Sequence, residues 1–136
     1  MPPKTAARAA AYSPGASVAP TEAGRAEAMQ AELDQLQANI DALWQRFDAG
    51  MGKDDRGALV DLSAALVDLE LERSDLRLKL EGLSVTSPRW DAMLATLRAV
   101  NADLAQGMKT LKAIVKAVGL AQNAVKALKG VAGALL

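Results

Sequence analysis

Few kinds of reactive side chain are present in this 136-residue chain. Histidine and cysteine are both absent. That removes the usual general base, the usual metal ligand, the usual pH switch near neutrality, disulfides and thiolate metal sites. Carboxylates are left for acid–base or metal work, and they group twice: Asp54-Asp55, and Glu70 and Glu72 with Asp75. The first pair follows a glycine break, where aspartate caps a following helix. The second group is interleaved with Arg73, Arg77 and Lys79, the pattern of a solvated, salt-bridged helix face. No Glu-x-x-His motif, glycine-rich phosphate loop or nucleophile elbow is present. The expectation is a protein that is not an enzyme and uses no metal or cofactor.

The remaining chemistry is cationic. No acid follows Asp103, yet five lysines do: Lys109, Lys112, Lys116, Lys126 and Lys129. They are the candidate contacts for an anionic surface. Residues 1–21 carry two bases, residues 22–86 fourteen acids against seven bases, and residues 87–136 seven bases against two acids. A net charge of zero therefore conceals an acidic middle followed by a basic end, a hint about partners or about attraction within the fold.

These groups must be carried by helices. Hydrophobic residues make up 51% of the chain but aromatics only 3%, so alanine, leucine and valine supply the apolar surface. That composition suits helix seams and not a thick sheet core. The predicted fold class is all-α: an antiparallel helical hairpin plus a long third amphipathic helix, a coiled-coil-like three-helix arrangement. The expected divisions are a flexible N-terminal arm over 1–20, an acidic helical hairpin over 21–86 and a long basic helix over 87–136.

Helix one starts at Thr21 as N-cap, and its seam runs Ala26, Met29, Leu33, Leu36, Ile40, Leu43, Phe47 in alternating steps of three and four. Gly50 is a candidate left-handed residue closing it, and Asp54 or Asp55 caps helix two, which ends near Glu81. Helix two carries a main seam (Leu59, Leu62, Leu66, Leu69, Leu76, Leu80) and a second stripe (Val60, Ala64, Val67, Leu71, Leu78), enough for two packing partners. Pairing Leu43 with Leu62 and Leu36 with Leu69 centres the turn on the glycine break. That register sets Arg73, the one charge at a seam position, across from Glu32 and Leu33, with Glu32 its expected partner and register fixing its expected role.

Ser87-Pro88 starts the third helix, Ser87 as N-cap and Pro88 preset for the first turn. From Trp90 to Leu135 the steps of three and four never break, so the expected helix is continuous and folds back along helix two. Past about position 115 it outruns its partner, and the overhang of about 20 residues is either free or bent back at Gly119. Its apolar seam, Leu111, Ile114, Val118, Val125, Leu128 and Leu135, is the candidate interaction surface. The function expected is that of a non-catalytic helical structural or interaction protein that self-assembles into a homo-oligomer or docks on a helical partner through this C-terminal helix. The alternative is a membrane-surface-binding or pore-forming protein using the lysine-rich segment on anionic lipid. Nucleic acid is a weak case, since the segment has neither arginine nor an aromatic for stacking. No spanning helix and no secretory signal are read in the sequence, which points to cytoplasmic synthesis and leaves export without a signal open.

Overall fold

The structure, a computed structural model, describes residues 21–133. The arm expected over 1–20, and Leu135, lie outside them. Four helices follow one another: α1 Glu22–Gly50, α2 Arg56–Glu81, α3 Pro88–Lys109 and α4 Ile114–Gly133.

The helix starts are those that side-chain chemistry dictates. Thr21 Oγ1 accepts from Gly24 N–H at 2.9 Å and Asp55 Oδ2 from Ala58 N–H at 2.8 Å. Ser87 Oγ accepts from Arg89 N–H at 3.1 Å, with Pro88 in the first turn. Each satisfies one amide that the helix itself leaves unpaired. The closing glycine differs from expectation. Gly50 belongs to the last turn of α1 and is buried; it is Gly52 that takes φ +81° and turns the chain toward α2. A side chain at position 50 would press on Asp54, Arg46 and Leu59, so packing rather than backbone freedom requires glycine there.

The long third helix is corrected to two. The chain leaves helix at Thr110, where φ is −106°, and re-enters it at Ile114. Gly119 stands inside α4 and breaks nothing. The break reverses the chain, so the segment expected to overhang is covered: α4 packs on both α2 and α3.

The arrangement is a four-helix bundle. α1 neighbours α2 and α3, α4 neighbours the same two, and the pairs α1/α4 and α2/α3 face each other across the diagonals. Helix α3 therefore lies chiefly beside α1 and α4, not along α2 as expected. Contacts fix the directions. Arg46 reaches Asp54 at 2.9 Å and Arg73 reaches Leu33, so α1 and α2 are antiparallel. Arg25 pairs with Asp91 and Asn39 with Asn101, so α1 and α3 run parallel. Leu120 fills the space beside Gly107, so α3 and α4 are antiparallel, and α2 and α4 are then parallel neighbours.

One hydrophobic core runs the length of the bundle. Leu36, Ile40 and Leu43 of α1, Leu62, Leu66, Leu69 and Leu76 of α2, Met93 and Leu97 of α3, and Leu128 of α4 are wholly buried. Alanines make up half of the buried face of α4 (Ala117, Ala121, Ala124, Ala132), with Ala58 and Ala65 on α2, and small side chains let these parallel helices approach closely. The buried polar exception is a pair of asparagines. Asn39 Nδ2 donates to Asn101 Oδ1 at 3.1 Å, and Asn101 Nδ2 donates to the Glu32 carbonyl at 3.0 Å and to Glu32 Oε1 at 2.9 Å. Trp90 is also buried, and its indole N–H has no partner among the described residues.

Candidate functional site

Once the bundle has closed, the residues expected to interact are sorted differently from the sequence reading. Ile114, Val118, Val125 and Leu128 are buried against the protein's own helices, and Leu111 is half-buried. The physical reason is the turn at 110–113. It returns the apolar face of the C-terminal segment to α2 and α3. The five lysines stay exposed, and none has an acidic partner among the described residues.

Arg73 also differs. Its Nε donates to the Leu33 carbonyl at 2.8 Å and its Nη2 lies 3.9 Å from Asp34, not beside Glu32. Glu32 is occupied from the other side, by Asn101 and, at 3.7 Å, by Arg98 of α3. The Arg73 side chain is largely covered, and its guanidinium is held by a backbone carbonyl of α1 with the exposed Asp34 beyond it.

What the bundle leaves open is the outer face of α2. Val60, Ala64, Val67, Leu71, Ser74 and Leu78 alternate in steps of four and three, and all six are exposed. The four large ones are 49–66% exposed. This is the spacing that lays one straight seam along a helix for a second helix to meet. From Val60 to Leu78 it extends about 27 Å at 1.5 Å per residue. The buried seam of α2 points the opposite way, so the stripe is the helix ridge farthest from the core.

The surroundings of the stripe are specific. Toward α4, Asp61 and Asp68 border a recess with Ala64, Ala65, Gln122 and Val125. Asp75 continues that edge one heptad on and is 3.0 Å from Lys79. Toward α1, Glu70 accepts from Trp44 Nε1 at 2.6 Å. At the N-terminal end of the stripe a groove of about 530 Å³ is lined by Phe47, Met51, Leu59 and Val60 together with Gly52, Asp54, Arg56 and Ser63. Met51 on its wall is 61% exposed. Cations close the two ends, Arg56 before the stripe and Arg77 within its last turn.

Three of the carboxylates read as salt-bridge partners and caps occupy such places, while Glu70 accepts from Trp44 and Glu72 has no ion pair among the described residues. Asp54 pairs with Arg46, Asp55 caps α2 and Asp75 pairs with Lys79. Among the described residues no group of three or more aspartate, glutamate, histidine or cysteine side chains is placed to hold a metal ion. No helix among them is long and apolar enough to cross a membrane. Comparison with protein-family models, with curated proteins and with solved structures finds no match.

The asparagine pair went unnoticed in the sequence. Its signal was there: Asn101 lies four residues after Leu97 and three before Leu104, inside the buried arc of α3. The second stripe of α2, whose spacing predicts a further packing partner, remains open among the described residues.

Proposed function

We propose that this is a non-catalytic helical interaction protein, a four-helix bundle that presents the outer ridge of α2 to another helix. The observation that carries this reading is the exposed stripe Val60, Val67, Leu71 and Leu78 at heptad spacing. Four large apolar side chains in one line on a small bundle are an expensive surface to leave in water, and such patches mark interaction sites. The core needs none of them, because the opposite face of α2 already supplies eight buried residues.

A second reading rests on the five lysines of 109–129, which have no acidic partner among the described residues and suit an anionic lipid surface. It requires α4 to leave the bundle before an apolar face can follow the lysines into the membrane. A photocrosslinking side chain placed at position 71 or at position 116 of the full chain, in its native cells, separates the two. The expected result is a protein adduct of discrete mass from position 71 that disappears when Val67→Lys is added. Lipid adducts from position 116, with none from position 71, would replace the α2 reading with the membrane one.

A further inference from the structure

Resting on the reading that α2 docks a helix, we infer what kind of helix it takes: an amphipathic helix of another protein whose apolar seam is flanked by lysine or arginine. The charges along the stripe select it. Asp61, Asp68 and Asp75 stand at seven-residue intervals on one edge, and Glu70 stands midway along the other. Between Arg56 and Arg77, the flanking positions of the stripe hold these four acids and Ser63. Residues flanking a helix–helix seam face the partner's flanking residues and decide which partner is accepted. A basic-flanked helix meets opposite charge along the central 14 residues, about 21 Å. Asp61 and Asp68 have no ion pair among the described residues, so both are available to it.

The same charges disfavour a second copy meeting ridge to ridge. In an antiparallel pair of α2 helices like edges meet, and the Asp61, Asp68, Asp75 edge would oppose itself. In a parallel pair the two unlike edges meet, which places Glu70 against Asp75 of the other copy. Neither arrangement removes the excess of negative charge, whereas a lysine-flanked seam does. The groove between Phe47, Met51, Leu59 and Val60 adds a second requirement. A large apolar side chain on the partner, one turn beyond its basic stretch, would fill it.

Two synthetic helical peptides with one leucine seam, one flanked by lysine and one by glutamate, test this against the full chain by fluorescence anisotropy. The expected result is that the lysine-flanked peptide binds at least about tenfold more tightly and weakens as salt is raised. Leu71→Lys abolishes that binding without changing the helix content. Asp61→Lys combined with Asp68→Lys reverses the preference, so that the glutamate-flanked peptide binds better. All three positions, 61, 68 and 71, are exposed, so these variants fold. Equal binding of the two peptides, or no reversal in the double variant, overturns the inference. So does a wild-type dimer in light scattering that Leu71→Lys dissociates: the stripe would remain an interaction site, and its occupant would be a second copy. Binding by neither peptide, together with no adduct from position 71, removes both the inference and the reading beneath it.

Discussion

Removing the Asn101 side chain should cost this bundle more than removing any of its surface ion pairs. Asn101→Ala deletes three hydrogen bonds at once. It leaves the Asn39 amide, on a residue only 4% exposed, without its acceptor in α3. A buried donor stranded in this way costs about 1–3 kcal/mol. Glu32 loses its 2.9 Å donor as well. Its side chain is partly open to water, so that loss adds only about 1 kcal/mol. The expected total is about 2–4 kcal/mol, a large fraction of the 5–15 kcal/mol that typically holds a domain together. Urea unfolding followed by far-UV circular dichroism measures it. A double-mutant cycle with Asn39→Ala should return a coupling of about 1 kcal/mol, because each single variant strands the other asparagine. Replacing both by leucine should return most of the stability, since neither asparagine is then left stranded and Glu32 and Gln35, which lose a partner each, are partly open to water. An Asn101→Ala variant within about 0.5 kcal/mol of the wild type, with no coupling, would refute the view that this pair joins α1 to α3.

Arg73→Leu is expected to change stability by no more than about 1 kcal/mol, because the Leu33 carbonyl it contacts sits within α1 and the Asp34 contact is long and exposed; a loss of several kcal/mol in urea unfolding would refute this. Gly107 and Gly119 should respond oppositely to alanine. At Gly107 a Cβ presses on Leu120, so Gly107→Ala should destabilise by about 1 kcal/mol after its gain in helix propensity. At Gly119 a Cβ meets nothing within 4 Å. Gly119→Ala should therefore stabilise by about 0.5–1 kcal/mol, and thermal unfolding in the Leu71→Lys background reads both without interference from a bound helix.

The hairpin was legible because its punctuation is chemical. Thr21, Asp55 and Ser87-Pro88 are caps by side-chain type, and the glycines at 50 and 52 mark one break. The register survived as well: Arg73 meets Leu33, within one residue of its expected level. The turn at 110–113 was illegible because it carries no glycine or proline and does not disturb the apolar rhythm. Gly107, Leu111, Ile114 and Val118 keep steps of four and three across it, so two helices imitate one. That single misreading produced the overhang, the exposed C-terminal seam and the three-helix count. The outer stripe of α2 was legible as a stripe. Which of the two α2 faces stays open is a property of the closed bundle, and no local pattern encodes it.

The closest-packed neighbours in this bundle are not consecutive in the chain, and this matters during synthesis. Leu66 and Ala124, near the centres of α2 and α4, are separated by 58 residues. At translation rates of about 5–20 residues per second, α2 is made roughly 3–12 s before the helix that will cover it. For that interval the side of α2 that α4 will cover is bare beside the ridge that stays outside, with only α1 already made to pack on its core face. A folding helper that recognises such ridges would meet both during synthesis, and after release only the ridge through Leu71.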